Sequence, residues 1–266
     1  MKTFKFCYPD ANTFKDIMKF KKLDDWHCEY VKLDTDIGYW VAENPFEGNG
    51  FDLFKELISS FPVQKDNNHP DNRDPNPFDT IHVPEWVSND LCALVRDFYF
   101  KNVTDLVQAS QVHEWGNLYF KERSRPISCW RIPHVDYVYG LVANLWFTSH
   151  PIEDSCTRLY RYHGKMYNEL YDFQLDTEHP LRKEWEAMAT VPKRLPAWYN
   201  IPEEELRRWG FEWVGSAPCT EKTMTMYRAN ICHNPFISEN VNFRWSHSFA
   251  YSHENLEDTR LKDLFK

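Results

Sequence analysis

The stretch RIPHVDYVYGLVANLWF, Arg131 to Phe147, decides how the rest of the chain is read. Its β-branched and aromatic residues, interrupted at Gly140, have the pattern of a β-hairpin. Side chains two apart on a strand point to the same face. His134 and Asp136 would therefore present an imidazole and a carboxylate side by side. The tripeptide alone proves nothing, because 11 His and 20 Asp in 266 residues predict about one such spacing by chance. A second instance stands at His69-Pro70-Asp71, inside VQKDNNHPDNRDPNPFDT. A central proline breaks a strand ladder, so that pair is expected in a solvated turn and without a function.

A third ligand should come from another strand. KTMTMYRANICHNPF, Lys222 to Phe236, alternates well, so Thr225, Tyr227, Ala229, Ile231 and His233 are expected on one face, with Cys232 opposite as a core thiol. Two imidazoles and one carboxylate make the facial set used by non-haem iron, which leaves three coordination positions open. Taken alone, His233 reads more simply as a strand-end histidine bonded to a backbone group. The next strand-like segment changes the balance. NFRWSHSFAY, Asn242 to Tyr251, puts Arg244 on one face with Ser246 and Ser248. An inward arginine is costly unless an anion pairs with it, and its planar fork matches a carboxylate.

In this order and spacing, His-x-Asp, a distal His and Arg-x-Ser resemble the 2-oxoglutarate/Fe(II)-dependent dioxygenases. The segment DYVYGLVANLWFTSHPIEDSCTRLYRYHG, Asp136 to Gly164, is similar to a stretch of a bacterial and phage subgroup close to the prolyl-hydroxylase-like branch. Ser155, Cys156 and Thr157 stand where that subgroup has Gly-Gly-Thr, so both glycines are missing. The resemblance covers roughly residues 116–252. It implies a double-stranded β-helix (jelly-roll, cupin-like) barrel. It also implies Fe(II) held by His134, Asp136 and His233, and 2-oxoglutarate held by Arg244 with Ser246. Asn144 and Tyr227 are further candidates for lining the cosubstrate pocket, although a satisfied core Asn and a core Tyr are at least as plausible. The implied reaction uses O2 to hydroxylate a C–H bond of an amino acid, peptide or other small molecule, releasing succinate and CO2. Retention of Asp136 argues against the halide-binding variant of this chemistry. The alternative is a cupin-like metal-binding or structural barrel without 2-oxoglutarate turnover.

Composition agrees with this class. Hydrophobic residues make up 42% and aromatic ones 17% of the chain, which favours strands over a helical bundle. A net charge of −9 argues against nucleic acid as a partner. No apolar run reaches the length of a membrane span, and the first residues lack the apolar core of a secretion signal. Seven cysteines without a C-x-x-C motif suit a reduced, cytoplasmic protein.

One domain is expected over residues 1–266. Residues 1–115 form a mostly helical flank, with helices expected in ANTFKDIMKFKKL, FDLFKELISSF and PEWVSNDLCALVRDFYF. Residues 116–252 form the barrel, interrupted by a helical insertion at about 165–210. Residues 253–266 form a tail. His150, His163, His179, His247 and His253 receive no role, and Arg161 is expected to pair with a surface carboxylate.

Overall fold

The computed structural model describes residues 19–64, 79–81, 85–102, 109–122, 133–136, 140–163 and 200–253. The chain is mainly β, and its described residues build two antiparallel sheets. The larger has eight strands in the order β1-β2-β9-β6-β11-β5-β4-β3 and the smaller three in the order β10-β7-β8. The strands are β1 (Cys28–Lys32), β2 (Gly38–Ala42), β3 (Val63–Gln64), β4 (Asp79–Ile81), β5 (Ala109–Phe120), β6 (Leu141–Trp146), β7 (Ser155–Tyr162), β8 (Phe211–Pro218), β9 (Met224–Arg228), β10 (Cys232–Ile237) and β11 (Phe243–His253). Among the described residues, three α-helices accompany them: α1 (Gly50–Ser59), α2 (Glu85–Asn102) and α3 (Glu203–Arg208). This is the expected jelly-roll arrangement.

The two faces of the larger sheet differ in chemistry, because each strand alternates. One face carries Leu141, Ala143, Leu145, Met224, Met226, Trp245 and Phe249, and packs against apolar residues of α1 and α2. Helix α1 buries Phe51, Phe54, Leu57 and Ile58, the spacing of a helix with one apolar stripe. Phe54 meets the rings of Phe46 at 5.2 Å, His247 at 5.8 Å and Phe147 at 6.1 Å. The other face looks toward the smaller sheet. There Val142 and Tyr227 of the larger sheet pack with Leu159 and Ala217 of the smaller. The remainder of that face is unusually polar, and it holds the site.

Several expectations are corrected. Residues 28–32, 38–42, 63–64 and 79–81 are strands at both margins of the larger sheet, so the first hundred residues complete the barrel as well as covering it. Their pairings, such as Tyr30 with Trp40 and Trp40 with Met226, are distant in sequence or short. Local propensity registers such pairings poorly. The run Lys222–Phe236 is not one strand. It breaks at Ala229–Ile231 into β9 and β10, which lie in different sheets. His134 and Asp136 sit on an extended segment joined to β10 by a single bridge, not on a regular hairpin strand.

Helices α1 and α2 match FDLFKELISSF and PEWVSNDLCALVRDFYF. Of ANTFKDIMKFKKL, only 19–23 are described, and Phe20 there bridges Phe46. His69, Asp71, most of the expected insertion and the tail after residue 253 lie outside the described residues. No helix among those described is long and apolar enough to cross a membrane. Cys28, Cys92, Cys156, Cys219 and Cys232 are free thiols.

Candidate metal centre

Backbone hydrogen bonds bring the three expected ligand side chains together. The His134 N–H donates to the His233 carbonyl at 2.9 Å, and the His233 N–H returns to the His134 carbonyl at 2.8 Å. The Asp136 N–H donates to the Ala229 carbonyl at 2.9 Å. The 133–136 segment is thereby strapped across the break between β9 and β10. His134, Asp136 and His233 each offer one ligand atom, all within 4.8 Å of one another. Asp136 Oδ2 lies 3.3 Å from His233 Nε2, and Oδ1 lies 3.7 Å from His134 Nε2.

Two donors at right angles, each roughly 2.1 Å from an ion, are separated by about 3 Å, so only small side-chain movements would close the set. The donor chemistry fits as well. His233 Nδ1 faces the Ile231 carbonyl at 2.9 Å. A carbonyl only accepts, so Nδ1 carries a proton there, and Nε2, which faces Asp136, is the nitrogen left to ligate an ion once its own proton is displaced, the outer-shell arrangement typical of metal-bound histidine. The side chains of His134 and Asp136 are 37% and 27% exposed against 5% for His233. The open side of the cluster therefore lies away from His233.

Electrostatics tie the three together. Burial works to raise the Asp136 carboxyl. The His233 imidazole, through charge and hydrogen bond, and then His134 outweigh it, leaving the carboxyl below its ordinary range. For His233, burial works to lower the imidazole and Asp136 more than reverses that.

The other expected site residues line the polar inner face of the larger sheet. Arg244 is buried and stacks its guanidinium 4.8 Å over the Trp146 ring, with a long 3.5 Å contact from Nη1 to the Phe236 carbonyl of the opposite sheet. Ser246 and Asn144 are buried beside it. Register explains the grouping: Ser246 pairs with Trp146, Ser248 with Asn144, and Asn144 with Thr225. Asn117 Nδ2 donates to Ser248 Oγ at 2.8 Å, and Ser248 Oγ donates to Asn144 Oδ1 at 2.7 Å. Asn144 in turn hydrogen-bonds Tyr227. The Tyr227 ring lies 4.7 Å from that of His233, and its hydroxyl feels both Asp136 and Arg244. Burial, chiefly, pushes that phenol far up.

Tyr227 thus stands within reach of both ends of the site, and Asn144 and Ser248 hold it from behind. Asn117 begins this ladder, and Thr225 beside it accepts from Trp146 Nε1 at 2.9 Å. Sequence reading assigned them no role, and only the register of β5 and β9 against their neighbours could have done so. Cys232 is buried with its thiol pushed well up by burial, as a core residue should be. Arg161 pairs with Asp34 at the surface.

No family model matches the chain, and no curated protein matches it. Among solved structures, the chain is similar to SnoK, described as a non-heme alpha ketoglutarate dependent carbocyclase from nogalamycin biosynthesis. That match has 14% identity and a TM-score of 0.47, over 81% of this chain and 79% of the other. HygX from Streptomyces hygroscopicus, with nickel and 2-oxoglutarate bound, matches at 11% identity and a TM-score of 0.46, over 81% and 83%. SnoN, an epimerase also described as alpha ketoglutarate dependent, matches at 12% identity and a TM-score of 0.48, over 85% and 84%. With TM-scores below 0.5, these likenesses decide nothing about the chemistry of this chain.

Proposed function

We propose that the chain is an Fe(II)/2-oxoglutarate-dependent oxygenase acting on a small-molecule or peptide C–H bond, with hydroxylation as the expected outcome. The observation that carries the reading is the convergence of His134, Asp136 and His233 within 4.8 Å at one end of an inner face whose other charge is the buried Arg244. The three side chains would hold Fe(II), leaving three positions for cosubstrate and O2. When bound, the iron would activate O2, which serves as the oxidant, taking two electrons from 2-oxoglutarate to give succinate and CO2 and two from the substrate C–H bond.

The chain's own residues bind and orient. Arg244, with Ser246, takes the outer carboxylate of the cosubstrate. The Trp146 ring and the Phe236 carbonyl fix the direction of the guanidinium, so little ordering remains on binding. The Asn117–Ser248–Asn144 chain holds Tyr227 against His233, where its ring excludes water from that side of the centre. The partly exposed His134 and Asp136 leave the approach open for substrate. Transformations other than hydroxylation are named for SnoK and SnoN.

Anaerobic loading with Fe(II), followed by succinate measurement against a panel of amino acids, peptides and glycosides, tests the reading. The wild type should bind one iron and release succinate. Asp136→Ala and His134→Ala should each lose most of the iron and all turnover. Full loading and turnover in His134→Ala would refute the assignment. Iron binding without any 2-oxoglutarate consumption would leave a cupin-like metal barrel.

A further inference from the structure

His150 follows β6 and lies on the Arg244 side of the larger sheet. The pairing of the two strands continues past Trp146: the Phe147 N–H donates to the Trp245 carbonyl at 3.0 Å, and the Trp245 N–H donates to Thr148 Oγ1 at 3.1 Å. The His150 main chain is fixed by its N–H, which donates to the Cys219 carbonyl at 3.0 Å. Its ring hydrogen-bonds the carbonyl of Phe243, the residue immediately before Arg244. A carbonyl only accepts, so one ring nitrogen carries a proton there. The other, Nε2, is buried and has no hydrogen-bond partner. It is close enough to Arg244 for the two charges to interact.

A neutral imidazole so placed keeps a buried, unpartnered lone pair within charge-interaction range of a guanidinium. A carboxylate drawn to Arg244 would meet that lone pair as repulsion. One proton on Nε2 would turn the repulsion into a charge-assisted hydrogen bond. We propose that His150 is the second donor of the anion subsite headed by Arg244, and that the outer carboxylate of a dicarboxylate binds there together with one proton taken up at His150 Nε2. This rests on the carboxylate role of Arg244 argued under the proposed function.

The groups facing His150 support a single titrating member. Without anion, burial first and Arg244 second hold the imidazole below its ordinary value, with the Phe243 carbonyl and Asp154 opposing them. Asp154, in the turn before β7, is already engaged by Ser238 Oγ at 2.7 Å and Asn240 Nδ2 at 2.9 Å, and its carboxyl is lowered. The thiols of Cys156 and Cys219 and the phenol of Tyr227 also feel Arg244, but burial raises all three. They stay protonated on both sides of the transition. An anion at Arg244 offsets its charge and adds one of opposite sign, so the His150 pKa rises on binding. Affinity should then increase as pH falls through the window between the free and bound values, by up to about tenfold per pH unit.

Calorimetric titration of 2-oxoglutarate into the Zn(II)-loaded protein tests this, in two buffers of different ionisation enthalpy at several values between pH 5.5 and 7.5. The wild type should take up close to one proton per 2-oxoglutarate near the middle of the window. His150→Gln should bind with no uptake and a flat pH profile. A second measurement needs no variant to fold: the His150 ring signal in NMR spectra of the Zn(II) protein should move toward its protonated position when 2-oxoglutarate is added. Absence of uptake at every pH, unchanged uptake in His150→Gln, or a ring that stays neutral in the complex would overturn the proposal. If the wild type binds no 2-oxoglutarate, or Arg244→Ala binds it equally well, the carboxylate site itself is wrong and both readings fall.

Discussion

Arg244 is a charge held inside the sandwich, and its surroundings show how that burial is tolerated. The guanidinium carbon sits over the Trp146 ring, 4.8 Å from its centre, and Nη1 reaches across to the Phe236 carbonyl, contacts that suit a planar, weakly hydrated cation better than an ammonium. Arg244→Lys keeps the charge but loses the fork and the stacking, so the apparent KM for 2-oxoglutarate should rise while iron content stays unchanged. Arg244→Ala should weaken 2-oxoglutarate binding by about 2–5 kcal/mol, the range for truncating one partner of a desolvated charge pair. Equilibrium titration checks this, and unchanged affinity in Arg244→Ala would remove the cosubstrate from the reading. At this scale much was legible in the sequence. Strand alternation alone places Arg244, Ser246 and Ser248 on one face. His150 was not legible, because its meaning depends on a bond to Phe243 and on Arg244, both about ninety residues away.

Elements that looked secondary in the sequence carry the site. The 133–136 segment forms one bridge and little else that is regular, yet its three backbone bonds to Ala229 and His233 align the cluster. The break between β9 and β10 lets Tyr227 belong to one sheet and His233 to the other while their rings meet. Behind the larger sheet, α1 supports β6 and β11 through Phe54, which is fully buried. Phe54→Ala should cost about 3–5 kcal/mol, seen as a lower denaturant midpoint. The inner-face residues stay where they are, so metal affinity of the folded fraction should be nearly unchanged. A stability loss below about 1 kcal/mol would mean that α1 does not buttress the sheet.

Across the whole molecule, the cysteines report on burial and on redox state together. Burial, with Glu43 adding to it, pushes the Cys28 thiol up to about 12, and burial likewise raises Cys156, Cys219 and Cys232. Thiolate is the reactive form, so these four should react slowly with a disulfide reagent at pH 8 in the native protein. Cys92 is buried as well. In denaturant without reductant, all seven cysteines of the chain should titrate at once. Fewer than seven would reveal a disulfide, and rapid native reaction of more than two would contradict the burial described.

Composition and alternation were enough to set the mainly β class, the inward faces of β6, β9 and β11, and the residue types able to hold a metal. These are properties of period and chemistry, carried by a few consecutive residues. Which strand lies beside which was decided only in the tertiary structure. The short strands between residues 28 and 81 join the sheet margins, Lys222–Phe236 divides between two sheets, and Asn117, Ser248, Asn144 and Tyr227 become a single hydrogen-bonded chain. The physical reason is that such pairings draw their free energy from partners tens to more than a hundred residues away. No local window of sequence contains both halves of the contact.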